Sequence, residues 1–236
     1  GLVSASIFVP LSAESEELTL TLTQVEGGHN EMIEAAKRIL SEAYKSIGIT
    51  IIVKGFPAER GLYLTNKGHT DGEVLRVDNI HLKYTELIKV PVSYMSIRNM
   101  AWTKGLDFTP EGWTSLKPYV IGFHIGYKLA ENSTEGMNRY TVSTFQQVFK
   151  MLDSGRIEVA IATDYVGLNV IRELNFQGIR MLQPPLEITP VYHYLNKKHK
   201  HLIGRITDSL QKMQQDGRFK EILSQVESEF RNSDVK

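Results

Sequence analysis

The 236-residue sequence predicts an α/β fold of two lobes, each a mostly parallel sheet flanked by helices, joined by two crossings. Three observations predict it. Strand-like and helix-like segments alternate from residue 18 onward, and the same order restarts near residue 116. Two stretches rich in glycine or proline, Gly105 to Trp113 and Gln183 to Pro190, stand where the chain would pass between lobes. Two crossings return the tail to the first lobe.

The first lobe opens with Leu18 to Thr23 (LTLTLT), the period-two pattern of a strand, which Gly27-Gly28 ends. Asn30 can cap the next helix, and Glu31 and Glu34 suit the positive end of its dipole. Met32, Ile33, Ala36, Ile39, Leu40, Ala43, Tyr44 and Ile47 form its apolar stripe, and Gly48 ends it. Ile49 to Lys54 reads as a β-branched strand, Pro57 opens a short helix that Lys67-Gly68 stops, and Glu73 to Leu75 begins another strand.

In the second lobe Tyr119 to Ile125 reads as a strand, and Ser143 with Gln146 as a capping box for a helix carrying Phe145, Val148, Phe149 and Leu152. Ile157 to Ala162 is an apolar strand that delivers Asp164 at its C-terminal end, before a helix around Tyr165 to Leu174. The tail makes two amphipathic helices, divided at Asp216-Gly217. The expected boundaries are 17–103 with 191–236 for lobe 1 and 106–188 for lobe 2. Residues 1–16 are expected to be a signal-peptide remnant or N-terminal extension, because Leu2 to Leu11 is apolar and small residues follow it.

Composition narrows the function. With 27 basic and 27 acidic residues no basic field recruits nucleic acid, and with no cysteine there is no thiolate nucleophile or disulfide framework. The sequence contains no G-x-S-x-G elbow, H-E-x-x-H, Walker loop or G-x-G-x-x-G, so no catalytic residue and no cofactor is expected. His193, His199 and His201 lie among Lys197, Lys198 and Lys200, whose charges oppose a metal ion, so no metal site is expected either.

Three segments in order carry a family resemblance: Pro57-Ala58-Glu59-Arg60 with Asn66 to Arg76 (NKGHTDGEVLR), Phe149 to Ala160 (FKMLDSGRIEVA), and Leu210 to Phe219 (LQKMQQDGRF). Over most of Leu18 to Phe230 the chain resembles the bacterial extracellular solute-binding proteins of family 3, polar amino acid ABC-transporter substrate-binding proteins. The resemblance implies a two-lobed periplasmic-binding-protein type II fold that closes around a small polar ligand, an amino acid or related small carboxylate. It further implies a periplasmic, non-enzymatic protein that acts as a monomer, with a membrane permease or a sensor as partner. The short segment Gln24 to Asn30 lacks the aromatic residue that supports the ligand in many members, and Asp78 to Lys83 stands where a Thr-x-x-Arg clamp would be.

In such a clamp ligand groups sit at the C-terminal ends of strands and at helix N-termini, where backbone N–H groups face the crevice. Arg76 offers a planar fork for a carboxylate, against the alternative of a structural pair with Glu73, Asp71 or Asp78. Asp164 offers a partner for an ammonium group, against the alternative of capping its own helix. Glu26 and His29 follow the first strand, and Tyr94 and Tyr127 are candidate aromatic walls. Ser96 and Arg98 also come within reach, with strand parity undecided. The reading from another class is a lyase-like or dehydratase-like enzyme using Glu26, His29 or Asp164 in acid–base roles.

Overall fold

The structure, a computed structural model, describes residues 18–25 and 31–233, with side chains through residue 230. The expected N-terminal segment 1–16 and the candidates Glu26 and His29 lie outside the described residues. Strand β1 (Leu18–Val25) follows the Leu–Thr alternation, turning Leu20 and Leu22 into the core. Helix α1 (Glu31–Lys45) buries Ala36, Ile39, Leu40, Ala43 and Tyr44 from the predicted stripe. β2 (Ile49–Phe56), α2 (Ala58–Asn66) and β3 (Gly72–Val77) complete the first strand–helix run.

The chain then makes an 18-residue strand, β4 (Leu87–Lys104). β5 (Ile121–His124), α3 (Lys128–Ser133), β6 (Arg139–Val142), α4 (Phe145–Asp153), β7 (Val159–Thr163), α5 (Asp164–Glu173) and β8 (Ile179–Met181) build the second half. β9 (Glu187–Asn196) leads back to α6 (Ile203–Gln215) and α7 (Arg218–Ser233).

The strands form one continuous sheet in the order β2-β1-β3-β9-β4-β7-β5-β6, with β8 added on β4. β1 is parallel to β2 and β3, and β5 is parallel to β6 and β7. β4 and β9 are antiparallel to all their neighbours. These two strands carry the architecture. β4 pairs with β9 from Leu87 to Asn99 and with β7 and β8 from Asn99 to Lys104, so the chain passes from one half to the other inside a single strand. That passage lies upstream of Gly105 to Trp113. The stretch Gln183 to Pro190 has no helical period, as expected, and its last residues enter β9 opposite Asn99 to Ser96.

Separate cores hold the halves. Leu20, Ile39, Val74, Val92, Leu195, Ile206 and Ile222 belong to the first. In the second half the sheet is covered on both faces: Met100, Trp102, Ala160 and Ala162 pack with α4 and α5, and Ala101, Val159 and Ile161 pack on the opposite side with Phe123 and Leu116. Alternation along β4 therefore puts Ser96 and Arg98 on the α5 side, in phase with Met100 and Trp102.

Two local readings are corrected. The cap of α4 is Thr144, whose side chain accepts from Gln147 N–H, while Gln147 Oε1 accepts from Ser143 N–H at 3.1 Å. The box is thus one residue later than Ser143 with Gln146. His193 does not sit among Lys197, Lys198 and Lys200; it is buried in β9, with its ring between Tyr44 and the Glu73 carbonyl.

Candidate ligand cleft

Where β4 leaves the first core and enters the second, a cavity of about 390 Å³ opens between the halves. Glu31 of α1 and Glu227 of α7 line it from the first half, and Asp164, Tyr165, Leu168 and Arg172 of α5 with Met181 of β8 from the second. Ser96 and Arg98 of β4 form its floor. A larger concavity, about 700 Å³, lies on the outer helical face, but α1, α6, α7 and their connections alone form its walls. The smaller cavity is bounded by groups from both halves, which a change in the angle between them would move.

Asp164 reaches this cavity for a local reason. The apolar strand β7 ends at Thr163, whose hydroxyl caps α5 by accepting from Val166 N–H at 3.3 Å. Thr163, not Asp164, does the capping. Asp164 is the first helical residue; one carboxylate oxygen accepts from Tyr165 N–H at 2.9 Å and the other stands 3.8 Å from an Arg98 terminal nitrogen. Burial raises its carboxyl above the ordinary aspartate value, outweighing the opposing pull of the Tyr165 amide and of Arg98. Tyr165 beside it is pushed up to about 12, by burial first and then by the negative charges of Asp164, Glu227 and Glu31. The lining carries three carboxylates and two guanidinium groups.

Among the described candidates, Asp164, Ser96 and Arg98 line the cavity, and Arg76, Tyr94 and Tyr127 do not. Arg76 is committed elsewhere: its Nε donates to Glu73 Oε2 at 2.8 Å, a terminal nitrogen lies 2.7 Å from the same oxygen, and that nitrogen donates to the Ala58 carbonyl. The structural pair with Glu73, the alternative to a carboxylate fork, is thus formed in this structure. Tyr94 is committed in the same way, because it is 4% exposed within the first core and its hydroxyl donates to the Val74 carbonyl. Tyr127 is half-buried and does not line the cavity; its hydroxyl donates to Asn99 Oδ1, on the side of β4 opposite Arg98. Asn99 in turn donates to the Glu187 carbonyl and to Thr189 Oγ1, so Tyr127 ties the start of α3 to both crossing strands.

The lining residues that sequence reasoning missed are Glu31, Tyr165, Leu168, Arg172, Met181 and Glu227. Glu31 read only as a partner of the helix dipole, and Glu227 stands on a helix whose angle to the sheet no local pattern reveals. The Asp71-Gly72-Glu73 signal was visible but is structural. Asp71 accepts from Thr21 N–H at 2.7 Å and lies 2.7 Å from His199 Nε2. A Cβ at Gly72 would stand 2.5 Å from the Tyr194 carbonyl oxygen, so the backbones approach closely only because glycine is there.

Known structures share this arrangement. The probable amino-acid ABC transporter extracellular-binding protein of Bacillus subtilis superposes with a TM-score of 0.70 at 16% identity, over 87% of this chain and 96% of its own. An ancestral arginine-binding protein bound to arginine gives 0.64 at 15% identity, over 88% of this chain and 97% of its own. The chain has the fold of the periplasmic binding proteins. The same two-lobed fold serves a histidine kinase sensor domain, which superposes with a TM-score of 0.65 at 12% identity, over 88% of this chain and 95% of its own. No family model matches the chain. A curated relative, an uncharacterized protein of Shewanella oneidensis, is 24% identical over 229 residues, 93% of this chain and 86% of that protein. Among the described residues of this periplasmic-binding-protein fold, no helix is long and apolar enough to cross a membrane, and no group of three or more His, Asp or Glu could hold a metal ion.

Proposed function

We propose that the protein is an extracytoplasmic solute-binding protein that captures an amino acid or a related small polar ligand between its lobes and delivers it to an ABC-type permease. The observation that carries this reading is the cavity at the junction, with walls from both halves and a floor on the strand that joins them. The two cores are the moving bodies, and β4 and β9 flex between them. Ligand contacts to both walls favour the closed arrangement, because a ligand shifts an equilibrium only by its differential contacts. Asp164 is the proposed partner of the ligand ammonium group: its charge is held in a poorly solvated place with its nearest cation 3.8 Å away.

The likeness to a histidine kinase sensor domain favours a second reading, in which the same closure reports occupancy to a signalling partner. Co-purification with a permease or with a membrane kinase separates the two.

Thermal unfolding against the common L-amino acids and small carboxylates, followed by calorimetry and recovery of the ligand, tests the binding reading. A ligand at a hundred times its Kd adds about 2.7 kcal/mol, a rise of roughly 5–11 °C in Tm for a chain of this size. Intact ligand recovered after binding supports capture. No stabilisation by any compound, together with no small molecule retained in native mass spectrometry, overturns it; conversion of the ligand to a product supports an enzyme instead.

A further inference from the structure

The pole of the first half that lies opposite the cavity is strongly cationic and takes no part in the cavity. β1 and β2 begin there at Leu18 and Ile49, and β9 ends there at Asn196, opposite Leu87 at the start of β4. Ser96 on the cavity floor lies roughly 30 Å along β4 from Leu87 at the rise of a strand. Three connections meet at this pole. The 3-10 turn Lys197–Leu202 rests on the turn after α2, where Lys198 Nζ donates to the Gly68 carbonyl at 2.8 Å. The first turn of α6 rests on the turn after α1, where Arg205 donates to the Ile47 carbonyl at 2.6 Å. Together with Glu86, just before β4, these connections carry six exposed cations, Lys45, Lys67, Lys197, Lys198, Lys200 and Arg205, against two carboxylates, Asp71 and Glu86. Lys198 stands 2.8 Å from Asp71 and Lys197 3.4 Å from Glu86, while Lys45, Lys67, Lys200 and Arg205 form no ion pair among the described residues.

We propose that this pole docks on an anionic bilayer surface and holds the protein there with its cavity turned away from the lipid. The docking depends on no ligand in the cavity. Chemistry favours a bilayer over a protein partner. A stable protein interface has an apolar centre, and among the described residues none of the exposed large apolar side chains lies in these connections. Long lysine side chains spread over separate turns instead fit a plane of diffuse charge, where each cation near the surface strengthens binding about fivefold. The whole chain is neutral, with 27 basic residues and 27 acidic ones. Attraction therefore acts only within a Debye length, about 8 Å at physiological salt, and it orients the molecule with this pole towards the lipid. The second half, which carries α5 and its wall of the cavity, is left free to swing.

Co-sedimentation of the full chain with lipid vesicles tests the proposal. Wild type is expected to bind phosphatidylcholine vesicles containing about 30% phosphatidylglycerol about 10-fold or more tightly than pure phosphatidylcholine at about 10 mM salt, and to lose most of that advantage at about 1 M. The triple variant Lys45→Gln, Lys67→Gln, Lys200→Gln removes one unpaired cation from each connection and should weaken binding to the anionic vesicles about 10- to 100-fold. Removing three exposed cations from the second half, by Lys117→Gln, Lys150→Gln and Arg156→Gln, changes the net charge equally and should alter binding by no more than about threefold. Melting curves verify that both triple variants are folded; Lys200→Gln alone, expected to weaken binding about fivefold, carries the test if the first is not. Equal binding of wild type to neutral and anionic vesicles, or equal losses in the two triple variants, would overturn the proposal. Binding to poly-L-glutamate without binding to anionic vesicles would overturn it too, in favour of an acidic protein partner.

Discussion

The guanidinium of Arg76 stands 2.7 Å from the carboxylate of Glu73, three residues earlier on the same strand, and Glu73 is fully buried. Thr65 Oγ1 donates to the other carboxylate oxygen at 2.6 Å, so the acid has one cation and one hydroxyl. Removing only the cation leaves a buried charge uncompensated. Arg76→Met is expected to destabilise by about 3–5 kcal/mol, and the double substitution Glu73→Gln with Arg76→Met by less. Denaturant melts of both variants measure the difference. A stable Arg76→Met protein with weakened binding of anionic ligands would instead restore Arg76 as a ligand residue.

Buried in β9, His193 makes stability sensitive to mild acid. Its Nδ1 lies 2.7 Å from the Glu73 carbonyl, which can only accept, so Nδ1 carries the proton and Nε2 accepts from the Tyr44 hydroxyl at 2.7 Å. Burial lowers its pKa to about 4, against the raising effect of the Glu73 carbonyl. In the unfolded chain a histidine titrates near 6.5. Between these values the unfolded state takes up a proton that the folded state refuses, so stability is complete above about pH 6.5 and falls as pH decreases towards 4. The loss between pH 7 and pH 5 is on the order of 2 kcal/mol, or roughly 4–8 °C in Tm. His193→Gln should flatten that slope, and an unchanged slope would refute the assignment.

Gly167 sets how closely α5 approaches β4. A Cβ at this position would overlap the indole of Trp102, which is buried and whose Nε1 donates to the Ala162 carbonyl at 3.3 Å. Alanine favours a helix over glycine by about 1 kcal/mol, but a rigid buried ring cannot yield to the added methyl group. Gly167→Ala should therefore lower stability by about 1–3 kcal/mol, with part recovered when Trp102→Leu is combined with it. Equilibrium unfolding of the single and double variants provides the check.

These cases show which parts of the fold could be read in advance. Helix α1 and the tail helices were legible because their apolar residues recur at helical spacing, and β1 because leucine and threonine alternate. β4 was not. Its pairing shifts register between Lys89 and Ser93 and again between Ser93 and Met95, so Tyr94 and Met95 are both buried and the alternation breaks. Farther along, the strand changes partner at Asn99, and no breaker residue marks the change. The neighbouring pairs Ser143-Thr144 and Gln146-Gln147 allow two registers for one cap, which only coordinates resolve. For the site, Asp164 was legible because an apolar strand ends just before it. The pairing of Arg76 with Glu73 was harder to read, because the partner is three residues away on the same strand and a bulge lies between them.

Asp164 couples the two aspects of the cavity, stability and recognition. Burial holds its carboxyl above the ordinary value, which means that the ionised form is better accommodated in the unfolded chain than in the fold at neutral pH. Asp164→Asn retains an oxygen for the Tyr165 amide and removes the charge. The ligand-free variant is therefore expected to melt at or above the wild-type temperature at pH 7, and the difference should shrink as pH falls and the wild-type carboxyl is protonated. The proposed loss of the ammonium partner should weaken amino-acid binding by about 10- to 100-fold. Melting curves over pH and calorimetry on the same preparations separate the two effects. A variant that melts lower and binds undiminished would show that Asp164 stabilises the α5 terminus and does not contact the ligand.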